Sequence, residues 1–524
     1  MEQQYLSEKT PKEVTDDPET RARPSPDTNK QTPLLPVSPD VGRTSIVEND
    51  FHEVRWDGGD ADPLNPRSLS TARKWLIVSV VSVSALDVTF TSSVYTSTFD
   101  QITQEFGISD LVATVGLSLY LIGLAFGPLF LGPLSEFYGR RPIYLISLTL
   151  FLVWLVPEAA AKNVTTMLIG RFLDGLSGSA FMSVVGGTVG DLFNREQLST
   201  PMMVFTGTVF VGPSVAPVVG GFINQYSSWR WTFYVLIIWS AIDLALVAFL
   251  VPETYHPILL RNKARELRKV TGNTKWVAPI EKTTKSILGT IATATKRPFE
   301  LLLFEPMCLN LCIYSALLLG IVYLFFGAFD VVFSETYGFE LWQQGLTFLG
   351  LLVGMLCGVA CTPIVNKNYG RLVNQRKATI GELGGSEPEF RLPPAIVGSI
   401  LAPVGLFMFA WTCFPSVHWV VPMIGSAVFG MGNFLIFTGI FTFKVEAYPL
   451  YAASSLAANT FLRCILGAMF PLFGIQMYRN LGNHWATSLL AFLTLVMMPF
   501  PYLFFKYGSK IREKSRFASP RAST

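Results

Sequence analysis

Charge is scarce in this chain. Asp, Glu, Lys and Arg make up 15% of its 524 residues, against about 25% in a soluble domain. That shortage excludes a water-facing globular fold. Histidine occurs four times, at His52, His256, His418 and His484. These are scattered, and no His/Cys/carboxylate set has metal spacing, so neither metal nor other cofactor is expected. A phosphate-binding P-loop is missing, which excludes direct drive by ATP, and nothing points to an enzyme. The net charge of +3 marks no nucleic-acid partner. No cleavable signal peptide is visible. Residues 1–70 are polar and read as a disordered cytosolic tail. The six cysteines all lie in the second half, inside or at the ends of apolar stretches. Free thiols acting as small hydrophobes are expected there, with no disulfide framework.

Long apolar stretches are what the chain has instead. Hydrophobic residues make up 50%, and Phe alone occurs 41 times. A helix needs roughly 20 apolar residues to cross about 30 Å of hydrocarbon. Twelve stretches qualify, near 75–97, 111–134, 142–160, 165–191, 202–225, 231–251, 306–333, 345–366, 394–414, 418–442, 454–477 and 485–505. They hold only a handful of charges. The pattern predicts an all-α integral membrane protein embedded in a lipid bilayer.

Basic residues collect in alternate loops. Arg140 and Arg141 lie in 135–141, ten Lys and Arg residues in 252–305, five more in 367–393, and a further set in the tail 506–524. The intervening loops are short and nearly free of them. The positive-inside bias then puts the basic loops and both termini in the cytosol. The long middle loop, 252–305, separates six spans (75–251) from six (306–505). Two such halves around a central cavity suit an alternating-access carrier. Pro363 to Arg371 follows the eighth span much as Gly132 to Arg141 follows the second, a faint internal repeat. Within the middle loop, Arg261 to Lys269 reads either as an amphipathic basic helix on the inner leaflet or as a solvated charged loop.

Three stretches resemble signatures of the major facilitator superfamily. Gly132-Pro133-Leu134-Ser135-Glu136-Phe137-Tyr138-Gly139-Arg140-Arg141 is similar to its loop signature, with Glu136 where the family has Asp. On that resemblance Gly132 lets a helix approach, Gly139 makes a tight turn, Glu136 pairs with an Arg or a helix N-terminus, and Arg140 and Arg141 anchor the loop. The fourth span carries Arg171-Phe172-Leu173-Asp174-Gly175, similar to the family's intramembrane-Arg signature. An uncompensated charge there costs about 2.5–3.5 kcal/mol, and Asp174, at i+3, is the expected partner. The fifth span, with Gly207, Gly212, Pro213, Pro217, Gly220 and Gly221, resembles the antiporter signature. Gly212-Pro213 would bend it, and Gly220-Gly221 would allow close packing. Asp62-Pro63-Leu64-Asn65-Pro66, Trp229-Arg230-Trp231, Pro252-Glu253-Thr254-Tyr255 and Val445-Glu446-Ala447-Tyr448-Pro449 look like the fungal twelve-span drug:H+ antiporter branch. The resemblance covers roughly residues 56–505. It implies twelve helices in two six-helix halves around a cavity, a monomeric carrier, and a plasma-membrane or vacuolar location.

Other intramembrane charges are functional candidates. Asp87, mid-way along the first span without a local partner, is a candidate proton or cation site, or a water-lined structural group. Asp243, Asp330 and Arg463 are cavity candidates. So are Tyr323 and Phe326, from a seventh span crowded with aromatics suited to flat or cationic cargo. The expected activity is proton-coupled export of small amphipathic or aromatic compounds, with Asp87, Arg171 and Asp174 coupling the proton. The alternatives are a polyamine:H+ exporter of the same branch and a proton-coupled nutrient uptake carrier.

Overall fold

A computed structural model describes residues 52–194, 197–282, 287–380, 386–518. Most of the tail assigned to 1–70, and the end of the basic tail from 519, lie outside the described residues.

Among the described residues, eleven helical stretches are long and apolar enough to cross a membrane. They are Thr71–Phe106, Asp110–Tyr138, Arg140–Ala159, Val164–Leu192, Thr200–Tyr226, Arg230–Leu250, Pro306–Tyr337, Leu341–Thr379, Pro393–Ala410, Val420–Ala447 and Ala452–Arg512. The last has 61 residues, about 90 Å at 1.5 Å per residue and so far longer than one crossing. Gly482 breaks it with a left-handed φ of 76°. The eleventh and twelfth spans meet at that turn, which gives the twelve crossings of the sequence.

Small residues let these helices touch backbone to backbone, the common device where lipid removes any hydrophobic drive between helices. In the eighth span Gly350, Gly354 and Gly358 fall on one stripe against the tenth. A Cβ at Gly354 would collide with the carbonyl oxygen of Ala427. The fifth span works in two directions. Gly212 and Gly220 press on the first span at Thr89 and Ser97, while Gly221 lies against Leu341 and Trp342 of the other half.

The start of the third span is fastened by a residue far away in sequence. Gly139, at φ 101°, turns the chain into Arg140. The backbone N–H groups of Arg140 and Arg141 donate to Glu253 Oε1 and Oε2, at 2.9 and 3.2 Å. Glu253 also accepts from the backbone of Thr254 and Tyr255. A carboxylate at a helix N-terminus satisfies orphan donors and meets the positive end of the helix dipole. Arg140 itself reaches Asp191 at 3.1 Å and donates to Ser135 Oγ at 2.6 Å. Arg141 donates to the carbonyl of Ala248 at 2.7 Å. Glu136 was expected to do the fastening. It stands exposed and has no ion pair within 4.0 Å, because Glu253 arrives from the end of the sixth span and occupies the helix terminus first. Gly132 likewise faces open space, with nothing within 4 Å of where its Cβ would stand.

Residues 52–70, assigned from sequence to the tail, carry structure. His52–Glu53 pairs in parallel with Trp276–Val277 of the middle loop. Lys263 Nζ lies 2.7 Å from Asp57 and 2.8 Å from Asp62; its hydrogen bond and the backbone N–H of Leu64 hold the Asp62 carboxyl below the usual range. The basic stretch Arg261 to Lys269 lies within a helix, His256–Thr271. Its apolar side packs at Ala264 against Val54 and Ala278 and so is covered by protein.

Replacing Glu253 by Ala is expected to destabilise the purified protein by about 1–2 kcal/mol, the worth of a helix-terminus carboxylate. Glu136→Ala should stay within about 0.5 kcal/mol of the parent, as exposed changes do. Thermal unfolding of both in one detergent compares them; equal losses would restore Glu136 as the fastening residue.

Candidate functional site

Two sites emerge, and they are separate. The first is a cavity of about 1390 Å³, opening at the end of the bundle that carries loop 135–141. Its walls come from the second and fourth spans (Leu129, Glu136, Ser183, Gly187), the fifth (Thr206, Val209), the tenth (Thr438, Phe441, Thr442) and the eleventh (Thr460, Arg463). Small residues keep the space open. Ion pairs at its mouth join Arg391 to Glu446 at 2.7 Å and Arg376 to Glu387. The opposite end is shut by contacts between the halves. Ser92 and Tyr323 hydroxyls meet at 2.7 Å, Ser118 Oγ donates to the carbonyl of Ala468 at 2.7 Å, and Gly345 lies against the carbonyl of Pro217.

The second site is a sealed group of charges inside the first half. Arg171, Glu158, Asp174 and Asp87 are each fully buried. Arg171 Nη1 stands 3.5 Å from Glu158 Oε2. Its Nη2 donates to the carbonyls of Thr91 and Ser92 at 3.1 and 3.3 Å, and its guanidinium lies over the rings of Tyr120 and Tyr95 at 4.2 and 4.6 Å. The partner expected at i+3 is therefore replaced by one on the third span. Both oxygens of Asp174 lack a hydrogen-bond partner, as do both of Glu158, whose contact with Arg171 is an ion pair alone. Asp87 accepts from Ser240 of the sixth span at 2.6 Å through Oδ2, while its Oδ1 is unpartnered. Carboxylates short of donors in a dry site are places where a proton can be held.

Of the other candidates, Arg463 lines the cavity. Asp243 does not; it faces Ser84 of the first span, one turn beyond the Asp87–Ser240 contact. Asp330 is exposed toward the closed end, among Asp100 and Asp110. Tyr323 and Phe326 are packed, not cavity-facing. Tyr323 ties the seventh span to the first, and Phe326 stacks on Phe348 with ring centroids 5.3 Å apart. The seventh span sits at the centre of its half, so its aromatics fill a core. Gly207 has only Val359 near its missing Cβ, at 3.9 Å, and Pro213 and Pro217 lie inside a continuous helix. Glu158 was missed from the sequence. The signal was an acid near the end of an otherwise apolar stretch, which reads equally well as an interfacial residue.

Two six-helix halves, a cavity open at one end and buried charges beside it define a secondary membrane carrier. The profile of the Major Facilitator Superfamily matches residues 81–471. Efflux pump atB of Aspergillus terreus is 50% identical over 463 residues, covering 88% of this chain and 89% of that protein. A probable drug/proton antiporter of Saccharomyces cerevisiae, YHK8, is 43% identical over 485 residues, covering 91% and 93%. Among solved structures, the xylose transporter XylE of E. coli superposes with a TM-score of 0.55 at 16% identity, covering 83% of this chain and 99% of that one. The chain belongs to the major facilitator superfamily: it is a multi-pass membrane transporter and not an enzyme.

Breaking a buried ion pair from one side strands the other charge, at a cost of about 3–5 kcal/mol. Glu158→Gln should therefore destabilise the protein by that order. Asp174→Asn, which removes a carboxylate without donors, should be neutral or stabilising. Unfolding midpoints in detergent at neutral pH test this, and the reverse ranking would make Asp174 the partner of Arg171.

Proposed function

We propose that this transporter is a proton-driven exporter of small amphipathic or aromatic compounds, acting as a monomer in the plasma membrane with both termini cytosolic. The observation that carries the reading is the separation of the cargo-sized cavity from the sealed charges of the first half. An antiporter can use that arrangement, with cargo and proton in different places and competing through conformation. The likeness to named efflux pumps and to a drug/proton antiporter supports the direction, and the basic loops support the orientation. On that orientation the cavity opens to the cytosol, where cargo enters.

Protons reach the first half from outside. Asp174 and Asp87 take them up, because each has an oxygen without a donor and neither, unlike Glu158, is ion-paired with Arg171. Neutralising Asp174 changes the charge balance around Arg171 and Glu158, and neutralising Asp87 alters its hold on Ser240. The first span carries Asp87 and the backbone carbonyls that Arg171 grips, and the fifth span lies directly on it at Gly212 and Gly220. A shift of the first span is thus passed to the contact between the halves. Cargo biases the two facings only by binding them unequally. The polyamine alternative places ammonium groups on Asp87, Asp174, Asp243 and Asp330, none of which lines the cavity.

The test is efflux from yeast stripped of its own drug exporters, expressing this chain or its Asp87→Asn, Arg171→Ala and Asp174→Asn forms. Retention of a panel of fluorescent and toxic compounds is followed with and without a protonophore. The expected outcome is faster loss of some compounds, stopped by the protonophore and slowed at least tenfold by one of the carboxylate changes. Faster accumulation in place of loss would identify an uptake carrier, and spermine competition would point to polyamines.

A further inference from the structure

Among the charges that line the cavity, one is both buried and without an acid beside it. Arg463, on the eleventh span, is 5% exposed and lines the cavity. Its Nε and Nη1 have no hydrogen-bond partner, and no carboxylate lies within 4.0 Å of it. The arginines nearer the mouth differ, since Arg140, Arg376 and Arg391 each face an acid and Arg297 is exposed over the Tyr451 ring. The acids at the rim are taken by these pairs, or stand, like Glu136, at the exposed end of the second span. Three rings surround the Arg463 guanidinium, those of Phe441 at 5.5 Å and of Phe210 and Phe437 at 5.7 Å. Rings can steady a cation, but they cannot satisfy N–H donors or neutralise its charge. One residue along from Phe437, the Thr438 hydroxyl also lines the cavity without a partner.

A buried donor left unmade is costly, and an unpaired buried cation more so. Such a group persists where a ligand completes it. We infer that Arg463 receives the acidic group of the cargo, so that this carrier exports organic anions: a carboxylate, or a like planar acid, attached to an aromatic or apolar body. The guanidinium fork meets two oxygens at once, the Thr438 hydroxyl offers a further donor in the same cavity, and Phe441, which lines the cavity, covers the flat body. The inference rests on reading this cavity as the cargo site of an exporter, and it narrows that reading by excluding polyamines.

Three ligands sharing one ring system isolate the charge: 1-naphthoate, 1-naphthamide and 1-naphthylmethylammonium. Their binding to the purified full chain in nanodiscs is measured by calorimetry. The expected result is naphthoate held at least tenfold more tightly than the amide, with the ammonium weakest. Arg463→Gln should bring naphthoate and the amide within twofold while leaving amide affinity unchanged. Arg463→Lys keeps the charge and loses the fork; it should cut the preference at least threefold, and it covers the case in which Arg463→Gln does not fold. A parent protein that binds all three alike or favours the ammonium overturns the inference, as does a folded Arg463→Gln form that keeps the preference. Binding needs no gradient, so the two claims separate. Arg463-dependent naphthoate binding without proton-driven efflux sinks the exporter reading alone. Proton-driven efflux by a protein that binds naphthoate no more tightly than the amide sinks the anion inference alone.

Discussion

A guanidinium with no access to water must be solvated by protein, and in the first half of this carrier three helices meet that demand around Arg171 of a fourth. The third span supplies the Glu158 carboxylate, the first supplies two carbonyls, and Tyr95 and Tyr120 close the faces of the group. Each contribution is modest in isolation. Together they fix the relative positions of spans one to four, because moving any of them exposes charge in a low-dielectric interior. The same arrangement leaves Asp174 and one oxygen of Asp87 without donors. The half is thus rigid where it solvates the cation and responsive where it does not.

The two halves meet through close backbone approach and through ring pairs such as Phe126–Phe461, Phe210–Phe437 and Phe222–Trp342. Gly221 against Leu341 and Trp342, Gly345 against Pro217, and the short Ser92–Tyr323 and Ser118–Ala468 contacts form the closed end. Such contacts depend on distance more than on chemical identity. They are made fully or lost together, which suits a joint that alternates between open and shut. At the open end the contacts are of another kind, ion pairs within the second half and the Glu253 fastening within the first. That end can widen without leaving an unpaired charge.

The membrane spans and the two-half division were legible in the sequence, since each rests on local composition or spacing. Contacts between distant spans were not. Arg171 was visible as a costly charge, but its partner had to be guessed from its own helix, where only Asp174 lay at a neighbouring position; Glu158 comes from another helix. Glu253 was noticed as part of a recurrent stretch, and nothing local reveals that it caps the third span. The seventh-span aromatics were read as cavity lining because a ring on a membrane helix carries no mark of which way it faces. Arg463 stands out in the sequence because an intramembrane cation is rare, and only the packed structure shows that it has no counter-ion.

The segment 52–62 strapped to the helix His256–Thr271 has a mechanical consequence. That helix is also tied to the fourth span, through His256 and the carbonyl of Asp191 at 2.9 Å, so the first part of the middle loop travels with the first half as ballast. The helix Ile287–Phe304 instead touches both sides of the cavity mouth. Thr295 donates to the carbonyl of Leu129 at 3.2 Å, and Phe299 packs on Phe461 with centroids 5.1 Å apart. A connector moored at one end and straddling the gap at the other acts as a leash: its slack, more than the strength of any single contact, sets how far the two halves can swing apart.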